Sequence, residues 1–370
     1  MELFHRPEVW VDTGIVSANI RKMKKRSDTA GVVLRPHFKT HQSKGIGELF
    51  RREGIEKITV SSVDMARYFA SSGWEDILIA FPVNTREWDA IEAINSRIRI
   101  GMTLSDPKVL KHLPDRPADR FRWWIELDTG HHRSGFPAEQ TSEILAMVDA
   151  CFQKGFCLDG FLFHDGHTYL AKGLKEIEDI RHRSLELIAS LRQELRHMFP
   201  EETFIFSGGD TPSCSHSLPS DGLDEWRPGN FVFYDLMQWV AGHCTPGEIA
   251  ARMVCPVVAV YPDRETAIIY GGAVHLGKDF LSGPLGTKYY GGISLHGEKM
   301  LIRNGHPRAC LVSLSQEHGV IRAPASFLKK LAPGDLLDVY PVHSCLMVSV
   351  AKRLFTHEGI VFDTLGGYSE

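Results

Sequence analysis

The fold class this chain predicts is α/β: a (β/α)8 barrel of the TIM type followed by a C-terminal β domain. Three observations carry it. Eight β-like segments alternate with helical patterns before about residue 240, the texture changes after about residue 245, and the length of 370 residues exceeds what one ordinary domain needs.

The first four segments are GVVLRPHFK ending at Lys39, KITVSS at Ser62, DILIAFP at Pro82 and RIRIGM at Met102. RWWIELD follows, ending at Asp128, then CLDGFLFHD at Asp165, TFIFSGG at Gly209 and RPGNFVFYD at Asp235. Their β-branched and aromatic content between turn residues is that of buried strands. The helical patterns between them are GIGELFRREG, VDMARYFASSG, TREWDAIEAIN, EQTSEILAMVDACFQKG and the long LKEIEDIRHRSLELIASLRQELRHMF. Eight strands and their helices within about 210 residues fit a closed barrel better than an open doubly wound sheet. Beyond them, VCPVVAVYP, TAIIYGGAV, ACLVSLSQEHGVI, DLLDVYPVH and CLMVSVAKRLF are β-rich runs between Gly and Pro turns. The expected division is residues 1–244 for the barrel and 245–370 for an all-β domain.

Composition removes several classes of function. With 42 Lys and Arg against 46 Asp and Glu the net charge is -4, so no basic excess exists to bind a nucleic-acid backbone. No apolar run reaches about eighteen residues and the start resembles no secretory leader, which predicts a cytoplasmic protein without a membrane partner. Seven cysteines form no CxxC pair, and their odd number argues against a secreted disulfide framework; most are expected to be buried thiols.

In a barrel of this type, functional side chains sit where strands end and loops begin. Lys39 closes the first segment beside Arg35, His37 and His41, cations that disfavour its ammonium form and make it a candidate Schiff-base amine. The alternative is a solvated basic strand end. In SGGDTPS, Gly208 and Gly209 precede Thr211 and Pro212, read as an N-cap and first-turn proline; free N–H groups there suit a phosphate. A plain turn into a short helix is its alternative. A Schiff-base lysine and a phosphate cradle at one barrel mouth point to pyridoxal phosphate. Arg133 in DTGHHRSG suits that cofactor's phenolic oxygen, and Tyr169 in HDGHTY and Tyr234 in FVFYD are either cofactor-lining phenols or packed aromatics.

His343 and Cys345, in VYPVHSCLMVSV, would share one face of a strand and could grip a metal; nitrogen with sulfur favours zinc. Two protein ligands leave positions open, as a catalytic metal requires. A packed histidine near a buried cysteine is the ordinary meaning of such a pair.

RPHFKTH, DTGHHRSG, SGGDTPS, RPGNFVFYD, QEHG and HSC, in this order, resemble the D-serine dehydratase and D-threonine aldolase family, fold type III pyridoxal phosphate enzymes related to alanine racemase. The resemblance covers nearly the whole chain. It implies that Lys39 is the Schiff-base lysine and catalytic base, that Arg133 faces the phenolic oxygen, and that Gly208 and Gly209 hold the phosphate. His37, His164, Tyr169, Asp210 and Tyr234 join the cofactor's surroundings, and His343 with Cys345 binds Zn2+. Aldolase members commonly carry aspartate where this chain has Cys345, which tilts it toward the zinc-dependent dehydratases. The family usually has Ser or Thr at Asp210 and a small polar residue at Val342. A carboxylate against a dianionic phosphate is repelled, so Asp210 must point away or the phosphate must sit differently. The implied activity is elimination of the β-hydroxyl from D-serine or a related D-3-hydroxy amino acid, by a homodimer, giving an oxo acid and ammonia. A retro-aldol lyase and a non-catalytic cofactor carrier are the alternatives; the residues beyond 245 argue against the carrier.

Overall fold

Parallel strands Val33–Leu34, Lys57–Val60, Asp76–Pro82, Arg99–Leu104, Phe121–Asp128, Cys157–Phe163, Ile205–Gly208 and Glu225–Trp226 follow one another around a nearly closed barrel. The eighth returns to the first through Glu225↔Val33 and Trp226↔Leu34, and the bridge His37↔Thr59 spans the last gap. The computed structural model describes residues 4–94, 96–216, 222–283 and 286–367. By contact, the chain divides into one unit of Arg21–Lys39 with Phe50–Gly229, and another of Met1–Ile20, Thr40–Leu49 and Asn230–Glu370.

Seven expected segments overlap a barrel strand; the eighth does not. The final strand is the two-residue Glu225–Trp226, and RPGNFVFYD instead forms a short 3-10 turn, Asn230–Val232, belonging to the other unit. Phe231, Val232, Phe233 and Tyr234 are all buried, at 0 to 2% exposure. A run buried on every side has no periodicity to tell a turn from a strand. The expected helices appear as Lys44–Arg52, Val63–Ala70, Trp88–Glu92, Thr141–Gln153 and Leu174–Met198.

Apolar packing fixes the segment that follows the first strand. Phe38 is fully buried, its ring 4.9 Å from Phe50, 4.9 Å from Phe69 and 5.1 Å from Trp74. Burying such a ring stabilises by about 1.5–3 kcal/mol. It pins the backbone between His37 and Lys39, with the Phe38 N–H donating to Thr59 O at 2.8 Å. Arg35 does not join Lys39 as a cationic neighbour, as the sequence suggested. Its guanidinium lies within the barrel, 2.9 Å from Glu225 and 2.6 Å from Asp76.

In the second unit a mostly antiparallel sheet runs through Thr266–Tyr270, His318–Arg322, Cys310–Leu314, Gly291–Leu295, Leu336–Pro341 and Ala251–Tyr261. The last of these also pairs with the first, so these six strands close a ring. Glu8–Val11, Arg353–Thr356 and Val361–Asp363 extend it. The boundary expected at 244/245 therefore misses the N-terminal strand, which bonds antiparallel to residues 251–254 and parallel to residues 354–356. The segment CLMVSVAKRLF is not all β either: helix Ser344–Ser349 precedes the strand Arg353–Thr356. No helix among the described residues is long and apolar enough to cross a membrane. Cys151, Cys214 and Cys255 are buried, while Cys157, Cys244, Cys310 and Cys345 are only partly so, fewer buried thiols than expected.

Candidate active site

Because the barrel strands are parallel, the residues that follow them share one end of the barrel. Lys39 lies just beyond the first strand, Arg133 beyond the fifth, His164 beyond the sixth, Gly208 and Gly209 at the end of the seventh, and Arg227 beyond the eighth. The Lys39 N–H donates to His37 Nδ1 at 3.3 Å. Burial first, then Lys39, Arg227, His164 and Arg133, push His37 well below the ordinary histidine range. Burial, Lys39, Arg133 and Arg227 do the same to His164. Both imidazoles are therefore neutral at pH 7 among cationic neighbours.

An Asp-centred turn presents Arg133. Asp128 Oδ1 accepts from the N–H of Gly130 at 2.9 Å and of His132 at 3.0 Å. Burial opposes the Asp128 charge, but these bonds outweigh it and hold its pKa low. Gly135 closes the loop at φ +100, where a Cβ would stand 2.8 Å from Glu126 O. Only glycine fits that approach.

The sixth and seventh loops are tied by hydroxyls. Buried Asp165 accepts from Thr129 Oγ1 at 2.6 Å and Ser184 Oγ at 2.8 Å. Asp210 is 1% exposed; its Oδ1 lies 2.8 Å from Thr168 Oγ1, and it accepts from the Ser213 N–H at 2.9 Å and Ser213 Oγ at 2.7 Å. Asp210, not Thr211, is thus the N-cap of helix Thr211–Cys214, with Pro212 in its first turn. Of the two arrangements open to this carboxylate, it is turned onto Thr168 and Ser213. The Thr211 N–H donates to the Tyr169 hydroxyl at 3.4 Å. Gly209 takes φ +92, and a Cβ there would meet Cys214 Sγ at 2.9 Å; one on Gly208 would meet the Phe163 ring at 2.4 Å. Arg227 escaped the sequence reading, although it opens RPGNFVFYD. Its Nη2 donates to Phe163 O at 2.5 Å and Ser207 O at 3.3 Å, and burial lowers its pKa to about 10.

Tyr234, His343 and Cys345 belong to the other unit. Tyr234 closes no strand; it is 2% exposed at φ +48, its N–H donating to Asn230 O at 2.8 Å. His343 and Cys345 do not share a strand. The strand ends at Pro341, His343 caps the following helix and Cys345 lies in its first turn. They still meet, for a hydrogen bond joins the two side chains. Burial opposes a charge on His343, but Cys345, Asp235 and Asp279 outweigh it and push it up to about 10. His343 Nδ1 lies 2.8 Å from Asp279 Oδ2, and Cys345 Sγ lies 3.3 Å from Thr40 Oγ1 and 3.8 Å from Asn230 Nδ2. Asp235 Oδ2 accepts from the Ser344 N–H at 3.0 Å and Asn230 Nδ2 at 2.6 Å, fixing the start of the helix. No group of three or more His, Cys, Asp or Glu side chains among the described residues could hold a metal on protein ligands alone.

Residues 11–236 match the alanine racemase N-terminal domain family, and residues 250–357 a putative serine dehydratase domain. D-threo-3-hydroxyaspartate dehydratase of Delftia sp. (strain HT23) is 28% identical over 92% of this chain and 90% of its own. D-serine dehydratase of Dictyostelium discoideum is 27% identical over 93% and 91%. The solved Delftia structure superposes with a TM-score of 0.89 over 99% of both chains at 25% identity. A structure of that enzyme with a cysteine changed to alanine, described as metal-free, gives 0.89 at 24% identity, covering 99% of each chain. The chain therefore belongs to the alanine racemase-like, fold type III family of pyridoxal phosphate enzymes, as a lyase of the branch that carries the serine dehydratase domain.

Proposed function

We propose that the chain is a pyridoxal phosphate- and zinc-dependent dehydratase converting D-serine, or a related D-3-hydroxy amino acid, to an oxo acid and ammonia. The observation that carries this is the charge pattern at the barrel mouth. Lys39, Arg133 and Arg227 surround two neutral imidazoles, while Asp210, the carboxylate beside the glycine pair, is engaged by Thr168 and Ser213. Such a site suits a ligand bearing a phosphate, a phenolic oxygen and a carboxylate.

In this reading Lys39 holds the cofactor, Gly208 and Gly209 receive its phosphate, and Arg133 its phenolic oxygen. His37, His164 and Tyr169 line it, Asp210 stands beside the phosphate, and Tyr234 joins the set on the resemblance alone. When bound, pyridoxal phosphate supplies an electron sink for charge developing at Cα. The Lys39 amine takes the α-hydrogen, and neutral His37 and His164 leave that proton transfer to it. His343 and Cys345 hold zinc, which their nitrogen and sulfur donors suit and which supplies a Lewis acid for the departing hydroxyl. The dehydratase relatives from Delftia and Dictyostelium support elimination.

The test is a product assay on the purified protein with D-serine, D-threonine and D-threo-3-hydroxyaspartate, with and without zinc. Ammonia and an oxo acid are expected, lost on chelation while the bound cofactor keeps its visible absorbance. Glycine with an aldehyde would mean retro-aldol cleavage instead, and full turnover by metal-free folded protein would remove zinc from the reading. Light scattering checks the homodimer.

A further inference from the structure

The Thr168 hydroxyl lies 2.8 Å from two acceptors, Asp165 O and Asp210 Oδ1, yet has one hydrogen to give. A protonated Asp210 settles the contest: it donates to the Thr168 oxygen, and Thr168 donates to Asp165 O. We infer that Asp210 is a proton-linked positioning residue for the cofactor's phosphate, so that this chain takes up a proton as it takes up the cofactor and holds the cofactor less tightly as pH rises through neutrality. The inference rests on the cofactor reading above.

Asp210 follows Gly209 directly, so its carboxylate stands one residue from the proposed cradle, 1% exposed. A buried carboxylate so close to a dianionic phosphate raises the energy of the bound state, and a proton on the carboxyl removes the repulsion. Burial, then the charge of Asp165, already push Asp210 up to about 6, within reach of neutral pH. His167, from the 3-10 turn Gly166–Leu170, and Cys214, on the helix that Asp210 caps, also face it, and Arg181 of the long helix acts on Asp165 and Cys214. A serine or threonine in its place would carry no such linkage.

Equilibrium dialysis of the holoenzyme against graded pyridoxal phosphate at pH 6 and pH 8 tests this, comparing wild type with Asp210→Asn. The amide is an equally good N-cap and can still accept from the Ser213 N–H and donate to its hydroxyl. Ionisation of the cofactor is common to both proteins, so the ratio of the two Kd values isolates Asp210. The wild-type ratio should exceed that of the variant by about fivefold if phosphate raises the carboxyl pKa by one unit from about 6. Asp210→Ser should behave like Asn and serves as the comparison if Asn does not fold. A purely structural cap weakens binding equally at both pH values, and equal ratios with cofactor still bound overturn the inference alone. Failure of wild type to retain cofactor at either pH overturns the cofactor reading as well.

Discussion

Asp279 Oδ2 lies 2.8 Å from Nδ1 of His343, fixing which ring nitrogen is committed within the protein. A carboxylate on one nitrogen leaves the other as the one from which a metal would displace the proton, the arrangement found behind metal-binding histidines. Asp279→Asn should weaken zinc binding about 10–100-fold, read by competition with a chromophoric chelator. His343→Ala or Cys345→Ala should remove zinc while leaving cofactor content unchanged. Unaltered zinc affinity in Asp279→Asn would detach the carboxylate from the metal.

Lys39→Ala should fold, lose the visible absorbance of bound cofactor and lose turnover. Borohydride reduction of the wild type followed by peptide mapping should place the adduct on Lys39. An adduct on Lys44 would show that the reactive lysine had been misassigned.

Gly209→Ala should cost about 1–3 kcal/mol of stability, because φ +92 is a region that side chains avoid and the new Cβ meets Cys214 Sγ at 2.9 Å. Cofactor affinity should fall with it, since the strained turn is the proposed phosphate loop. Thermal melts with cofactor titration separate the effects; a variant as stable as wild type would show that the turn relaxes freely.

Acid should destabilise the protein partly through His41, which is fully buried with its Nδ1 accepting from the Ser43 N–H at 3.1 Å. Burial lowers its pKa to about 3 in the fold, against 6.5 in the unfolded chain. Its contribution is present above pH 6.5 and is lost as pH falls toward about 3, with a slope up to about 1.4 kcal/mol per pH unit. Asp210, raised to about 6, has the opposite sign: its contribution is present below 3.8 and is lost as pH rises through about 6. Denaturant melts of His41→Asn should therefore show a flatter loss between pH 6 and 4 than wild type. Parallel slopes would count against a neutral buried His41.

Most of the barrel was legible because its longer strands are continuous apolar runs ending in loop residues. Glu225–Trp226 was not, since two residues carry no pattern; their place follows from pairing with Val33–Leu34 and Ser207–Gly208. At the barrel mouth, Lys39 and the glycine pair stood out as candidates through unusual sequence neighbours. Arg227 sat in a segment read as a strand, and Asp279 lies 64 residues from the histidine it holds. His343 and Cys345 were paired for a strand that stops at Pro341, and they meet because a cap and a first helical turn also bring i and i+2 together.

The placement of Glu8–Val11 between residues 251–254 and residues 354–356 has a kinetic consequence. The strand Glu8–Val11 has no antiparallel partner until residues 251–254 have been made and no parallel one until residues 354–356, so the sheet is assembled from contacts of very large sequence separation. Such pairings make folding slow, because the chain must close a long loop before any hydrogen bond rewards it. Glu8–Val11 therefore waits as a bare edge while the barrel is synthesised. A chain stopped before Arg353 would leave that edge without its parallel neighbour, open to strand exchange with other copies.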